Sequence, residues 1–391
     1  MGKKLFGKKK QNRKRILMLN YEFPPLGGGG GIAAKKLAEG FIEKGYIVDY
    51  LTTGFKGLKE FEKVNGINIY RVKVIGRKDL STATMVSMLT FPINSYKKAR
   101  ELCEKNKYEF INTQFAVPTG PLGVWISKRY NLKNVLSLQG GDIYDPTKNN
   151  SPHLHWYYRK VVRWVLNNSD IIVAHSSNTK RNAIKYYHPH KQIKIISIPY
   201  ELTKFKKVLR KSLGLEEDKL YLIGVGRLVK RKGFDFLIKS IAKINNDKIH
   251  ALIIGEGPEK ENLINLAKEL NVSGRIHFLG FVSEEKKFQY LDNSDIYILS
   301  SVHEGFGIVL QEAMQVGLSI IATDNGGQVD LVKNNQNGFL IKFGDENAMK
   351  KSIEKLINDK KLRLKIKKNN QEKIKEFRLG NIAKEYFGVL G

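Results

Sequence analysis

The sequence predicts an α/β protein with two parallel-sheet domains facing each other across a cleft. Three observations predict it. Apolar strand-like runs alternate with amphipathic stretches along nearly the whole chain, the pattern of repeated βα units. That alternation is interrupted at residues 198–215, where Pro199 and a cluster of charges replace any regular period. Several strand-like runs end in glycine-rich turns that lead into helical patterns, and open α/β sheets bind their ligands at that carboxyl edge. A length of 391 residues suits two domains with full cores.

In the first series, apolar runs at 16–20, 47–52, 110–113, 134–138 and 171–174 read as strands, with a helical stretch at 32–44 after a glycine run. In the second, strands are expected at 220–225, 251–254, 276–279, 296–299, 319–322 and 339–341. Helical patterns fall between or after them at 235–245, 258–270, 284–293, 307–317 and 345–357. The domains are therefore expected at 16–198 and 199–375, preceded by a basic arm at 1–15 and followed by a helix at 376–391 returning to the first domain. The two halves share a pattern but no sequence repeat.

A hydrophobic fraction of 41% and a charged fraction of 27% exclude a disordered chain, a collagen-like fibre and a disulfide scaffold. Cys103 alone cannot form an intramolecular disulfide, and one Cys with eight scattered His offers no zinc-ligand spacing, so a cytosolic compartment is expected. The uncharged runs at 80–96 and 110–127 are broken by Pro, Asn, Thr and Gly, and the basic N-terminus lacks the apolar core of a signal peptide. The net charge of +30 is unevenly spread. Residues 1–15 carry eight Lys or Arg and no acid, and residues 16–200 carry 27 basic against 13 acidic side chains. The first half is thus expected to face something anionic, or solvent.

Five segments can carry chemistry. Gly27, Gly28, Gly29, Gly30 and Gly31 follow Pro24 and Pro25 between a strand and a helix, where bare amides and the helix dipole can receive a phosphate. The alternative is a flexible turn. No Gly-Lys-Ser/Thr closes this loop, so it is not a Walker loop, and Asp49 is a weak substitute for the ribose-binding acid of a dinucleotide fingerprint. Gly226, Arg227, Lys230, Arg231, Lys232 and Gly233 put four cations into six positions after a strand, a diphosphate clamp or a plain basic loop. The third segment runs from Ser300 and Ser301 through Glu304, Gly305, Phe306 and Gly307 to Glu312, a strand-to-helix turn with two Glu at fixed spacing that can hold sugar or ribose hydroxyls. Gly255, Gly257 and Pro258, then Gly326 and Gly327, mark two more turns on the same edge.

Together these residues resemble the retaining glycosyltransferases of family 4, whose GT-B fold pairs two Rossmann-like domains. The likeness covers nearly all of the chain after residue 15. It rests most on Glu304 and Glu312 with their glycine turn, Gly226-Arg227 with Lys232-Gly233, Gly255 to Pro258, Gly280-Phe281 and Asp295. The resemblance implies an enzyme of class EC 2.4 that retains anomeric configuration and needs no metal or cofactor beyond its nucleotide diphosphate sugar. It implies that Arg227 and Lys232 neutralise the diphosphate, the amides of Gly305, Phe306 and Gly307 and of Gly28, Gly29 and Gly30 assist, and Gly226 and Gly257 border the donor. Glu304 would contact the donor sugar, Glu312 the ribose, and Phe281 and Val282 the base. Gln139 stands where relatives often place a His near the reacting centre, and it cannot take a proton. Asp142 and His175 fall on the acceptor side; His175, at the end of a strand, is a candidate to stand in for that His, with a structural histidine as the preferred reading. The segment from Ser197 to Glu201 departs from the family's linker turn.

A basic acceptor domain suits a lipid-linked sugar or glycan at an anionic membrane, met from the cytoplasmic side as a peripheral protein. The arm would add attraction at ~1 kcal/mol per basic residue near the surface. The stretch from His153 to Leu166 mixes cations with Trp156, Tyr157, Tyr158 and Trp164 as an interfacial helix does, although Trp156, Val161, Val162, Trp164 and Val165 could equally pack on the sheet. Two alternatives stand beside this reading: a nucleic-acid-binding protein using the basic half, and a polysaccharide synthase or phosphorylase on the same fold. A nucleotide-diphosphate site argues against the first. Lys232 and Glu304 are expected on exposed sheet-edge loops, where substitution leaves stability unchanged.

Overall fold

The computed structural model describes residues 13–80 and 83–391. The first twelve residues of the basic arm, with Lys3, Lys4, Lys8, Lys9 and Lys10, lie outside the described residues, so its expected membrane contact does too. Of the arm's remaining cations, Arg15 opens the first strand and pairs at 2.9 Å with buried Asp49, while Lys14 reaches Glu109 at 2.8 Å. Asp49 also accepts from Tyr108 and Asn68, which makes it a structural acid.

Among the described residues, eight strands form the first sheet: β1 (Arg15–Leu19), β2 (Ile47–Thr53), β3 (Phe61–Val64), β4 (Ile67–Val72), β5 (Phe110–Gln114), β6 (Lys133–Leu138), β7 (Ile171–Ala174) and β8 (Ile193–Ile195). Their order is β3-β4-β2-β1-β5-β6-β7-β8. The β3–β4 hairpin is absent from the expected elements. Its antiparallel pairing turns on Asn65 and Gly66, both at positive φ, which is the commonest signature of a two-residue hairpin; β3 is half exposed and so lacks an apolar run. Strand β8, three residues with two of them exposed, is missing for the same reason.

Six parallel strands form the second sheet: β9 (Leu220–Val225), β10 (Ile249–Ile254), β11 (Ile276–Gly280), β12 (Ile296–Leu299), β13 (Ser319–Thr323) and β14 (Gly338–Ile341), in the order β11-β10-β9-β12-β13-β14. The chain builds outward from β9 to β11 and then returns to place β12 on the other side of β9. That reversal puts the loops after β9 and β12 side by side at the carboxyl edge, the crevice where such sheets bind ligands. Leu222, Ile253, Ile298 and Ile321 pack this sheet against Phe236, Leu237, Ile241, Met349 and Ile353 from the covering helices Phe234–Ala242 and Glu346–Asn358.

By internal contacts the chain divides into two compact units, residues 1–137 with 168–171 and residues 138–167 with 172–391. In the first, Leu17, Leu19, Leu51, Phe91, Ile111 and Leu122 form a core. The second holds the six-stranded sheet and the final helix Leu379–Gly388.

Candidate active site

In the second unit, the loop after β9 is pressed onto the end of β12. Gly233 makes this approach possible: it sits at φ +61°, and a Cβ there would lie 2.1 Å from the Ser300 carbonyl oxygen. Ser300 Oγ donates to the Lys232 carbonyl at 3.0 Å and the Val302 amide to the Arg231 carbonyl at 2.8 Å. Lys232 Nζ thereby meets Glu304 Oε1 at 2.5 Å, Arg231 Nη1 lies 3.5 Å from Glu304 Oε2, and Ser301 Oγ donates to Oε1 at 2.9 Å. Burial opposes ionisation of Glu304, but the Lys232 ammonium, the Arg231 guanidinium and the two hydrogen bonds outweigh it and hold the carboxyl down at about 2. The exposed setting expected for this pair is not what the structure shows: Glu304 is only 8% exposed and the Lys232 side chain 13%. The sheet's reversed order encloses both.

The turn that carries Glu304 is fixed from three sides. Gly307, at φ +105°, opens the helix Ile308–Val316. Gly326 and Gly327 lie under the turn: Gly327 donates to the Glu304 carbonyl at 2.7 Å, and a Cβ on Gly327 would meet the Gly305 carbonyl at 2.3 Å. Ser176 Oγ donates to that same Gly305 carbonyl at 2.8 Å. From the third side, Gly140, at φ +103°, lets the loop after β6 touch Gly305, to which its Cβ would approach within 2.9 Å.

That loop carries Gln139 and Asp142. Asp142 Oδ1 accepts from the amides of Gln139 and Gly140 at 3.0 and 2.9 Å, so its carboxylate shapes the loop. Gln139 Nε2 lies 3.1 Å from His175 Nε2, and His175 Nδ1 lies 2.9 Å from the Ile196 carbonyl. A carbonyl cannot donate, so Nδ1 carries the proton and Nε2 accepts from the Gln139 amide. Burial pushes His175 down to about 4, the Ile196 carbonyl opposing. A neutral native His resists protonation that the unfolded chain accepts, so its stabilisation is complete above about pH 6.5 and is lost as pH falls toward about 4. Acidification from pH 6.5 to below about 4 therefore costs on the order of 3 kcal/mol at this residue. Urea unfolding of His175→Gln between pH 7 and 4.5 should show a shallower loss of stability than the parent; equal slopes would refute this.

Glu312, in the helix Ile308–Val316, accepts from Lys287 Nζ at 2.8 Å, and Lys287 also pairs with Glu284. Glu312 Oε2 is buried with no hydrogen-bond partner among the described residues, and burial pushes this carboxyl above the usual carboxylate range against the pull of Lys287. Gly226 lies against the Lys232 side chain, while Gly255 and Gly257 let the loop after β10 close on the Gly226 and Leu228 carbonyls. Phe306 is buried against Phe377, leaving its backbone to line the turn. Arg227 is exposed, as is Phe281 at 87%, and Val282 is half-buried.

Contacts thus join Gly226, Lys232, Glu304, Gly305, Gln139, Asp142 and His175. Gly28, Gly29 and Gly30 belong to the first unit. There the Glu22 carboxylate accepts from the amides of Gly28 and Gly31 at 3.1 and 3.2 Å, an internal anion on the amides expected to receive a phosphate. Four further participants join them, of which the sequence named only Arg231, within the basic loop after β9. Asp145 lies 3.9 Å from Arg231; Arg231 also donates to the His303 carbonyl; His303 is buried with Nδ1 unpartnered among the described residues; and Lys287 holds Glu312. Only Arg231 had a signal, as one of four cations in a loop. Tyr144 packs edge-on to His303 at 5.3 Å and stacks on Tyr186 at 5.5 Å, with His153 at 4.5 Å from Tyr144.

Residues 27–204 match the glycosyltransferase family 4 domain and residues 205–373 the glycosyl transferases group 1 domain. Over 96% of its length and 97% of the relative's, the chain is 28% identical to an uncharacterized glycosyltransferase of Methanocaldococcus jannaschii. Among solved structures it is similar to sucrose-phosphate synthase from Thermosynechococcus elongatus, with a TM-score of 0.83 at 22% identity over 97% of this chain and 98% of that one. It is also similar to Anabaena HepE in complex with UDP, with a TM-score of 0.77 at 21% identity over 96% and 99%. With two α/β units carrying parallel sheets, two contiguous domain matches and whole-length structural likeness, the chain belongs to the GT-B glycosyltransferases built from a family 4 domain followed by a group 1 domain.

Proposed function

We propose that this glycosyltransferase takes a sugar from a nucleotide diphosphate sugar, keeps its anomeric configuration, uses no metal, and delivers it to a lipid-linked or glycan acceptor at an anionic membrane surface. The observation that carries the donor assignment is the buried Lys232–Glu304–Arg231 group at the switch point of the second sheet. Charge that develops on a departing diphosphate is what this reaction most needs stabilised. Lys232 and exposed Arg227 bring cations to it, and the amides of Gly305, Phe306 and Gly307 bring dipoles at the start of a helix. Glu304, held ionised, accepts from donor sugar hydroxyls. The unpartnered Glu312 Oε2 offers a place for ribose hydroxyls, and a buried carboxylate oxygen without a partner is costly unless a ligand supplies one.

Retention follows when the acceptor hydroxyl attacks from the face the diphosphate leaves. The anomeric C–O bond to phosphate breaks, the new C–O bond forms on the same side, and the acceptor proton passes to the leaving phosphate oxygen. Gln139 cannot serve as a base, and this route needs none. HepE was solved with UDP, which makes uridine donors the first to try. The basic excess of residues 16–200 supports an anionic acceptor surface, and no described helix is long and apolar enough to cross a membrane, in keeping with a peripheral enzyme at the cytoplasmic face.

A thermal-shift series with UDP, GDP, ADP and their sugars tests the reading. A ligand at 100 times its Kd adds ~2.7 kcal/mol, which raises Tm by a few degrees. One base should stand out. No shift with any of them would overturn the donor assignment.

A further inference from the structure

The helix Trp156–Asn168 has two dissimilar faces. Val162, Val165 and Leu166 are buried, whereas Trp156, Tyr157, Val161 and Trp164 are exposed, Trp156 at 70% and Trp164 at 39%. At 100° per residue, positions 156, 157, 160, 161 and 164 form one stripe, with exposed Arg163 at its edge. Lys160, within it, holds its ammonium 4.8 Å from the Trp156 ring centre. The neighbouring helix Ser177–Tyr187 is tied on by Arg159, which donates to the Tyr186 carbonyl, and shows exposed Arg181, Ile184 and Lys185. Residues 149–191 hold seven Lys or Arg and a single acid, Asp170.

We infer that this face docks onto the headgroup layer of an anionic lipid bilayer. The inference rests on the reading that the acceptor is membrane-borne, and it says which surface meets the membrane. Exposed Trp and Tyr interleaved with Lys and Arg on a helix without acids match the interface chemically: rings enter the acyl boundary while cations reach lipid phosphates. The same surface leads to the site. Tyr186 stacks on Tyr144, and Tyr144 packs on His303, next to Glu304, so a headgroup held beside this face lies a short run of rings from the reacting residues.

The test uses the full chain, vesicles of phosphatidylcholine with and without phosphatidylglycerol, and four proteins: the parent, Trp156→Ser/Trp164→Ser, Lys160→Glu/Arg163→Glu, and Leu89→Ser/Ile93→Ser. The last alters a second exposed apolar stripe, on the helix Met85–Lys105 of the first unit. The parent should bind the anionic vesicles with a blue shift of Trp emission, and the first two variants should bind about tenfold more weakly or worse. The Trp156→Ser/Trp164→Ser protein, left with Trp125, should show no emission shift, and the Leu89→Ser/Ile93→Ser protein should match the parent. The inference is overturned by parental binding in both helix variants, by an unshifted parental emission, by loss confined to the Leu89→Ser/Ile93→Ser protein, or by binding of RNA but not vesicles. Nucleotide-induced thermal shift is read in parallel on all four proteins. Its absence in the parent would count against the donor assignment alone, and its persistence in the helix variants shows that they are folded.

Discussion

Lys232→Met should cut sugar transfer by orders of magnitude and destabilise the protein at once, whereas Lys232→Met with Glu304→Gln should regain the stability and none of the activity. The single substitution removes a cation from a carboxylate that is buried and ionised. Breaking such a pair by deleting one partner costs ~3–5 kcal/mol, because the remaining charge stays desolvated. The lower end, about 3 kcal/mol, applies here, since Arg231 still faces Glu304 and Ser301 still donates to it. Neutralising both partners removes the stranded charge, so urea unfolding of the double variant should fall within ~1 kcal/mol of the parent. Transfer should drop by a factor of about 10²–10³ in both proteins, the usual cost of losing one donor aimed at developing charge. A stable, inactive single variant would show the pair to be electrostatically unimportant to the fold, and an active one would remove Lys232 from the chemistry.

The pair also sets a pH dependence whose sign can be worked out. The native carboxyl of Glu304 lies at about 2, below its ordinary 4.5, so the unfolded chain binds this proton first as pH falls. Its stabilisation is complete above about pH 4.5 and disappears as pH drops through about 2. The stability gap between the parent and Glu304→Gln should therefore narrow from pH 5 to pH 3.

The residues of this site were legible in the sequence because each chemistry-bearing type sits in a short segment between an apolar run and a helical pattern. Glu304 with Gly305 to Gly307, and Lys232 with Gly233, are local signals. Their pairing was not legible, since the two lie 72 positions apart and meet only because β12 returns beside β9. Strand order is a tertiary result that periodicity does not report, and the burial of Lys232 and Glu304 follows from it. Lys287 had no signal, being one of many lysines on helices until Glu312 is placed opposite it. The Asn65-Gly66 hairpin shows the converse: the local signal was present, but two half-exposed strands gave no apolar run to draw attention to it. For the helix Trp156–Asn168, composition alone left packing and exposure open, and the structure buries Val162 and Val165 while exposing Trp156 and Trp164.

Gly327→Ala should cost activity by sterics alone, and this makes it the cleaner probe of how the Glu304 turn is held. Gly327 has φ −73°, a conformation any residue adopts, so alanine brings no backbone strain. Its Cβ, however, would stand 2.3 Å from the Gly305 carbonyl oxygen and 2.7 Å from the Phe306 Cα, both backbone atoms with no rotamer to escape into. The turn must move, and with it Glu304 and the amides beside it. A displacement of about 1 Å in a positioned site can cost 10²-fold, so kcat/KM should fall by about that factor while the protein stays folded. Gly140→Ala attacks the same turn from the opposite side, where Cβ would approach Gly305 Cα at 2.9 Å, and adds about 1–2 kcal/mol of left-handed strain at φ +103°. Gly141→Ala is the control: next to Gly140 in the same loop, its Cβ would have nothing within 4 Å among the described residues, so activity and stability should both remain at the parental level. If Gly327→Ala retained parental kcat/KM, the position of the Glu304 turn would not govern transfer. If Gly141→Ala lost as much as Gly140→Ala, the loop's flexibility, and not its approach to Gly305, would be what the reaction requires.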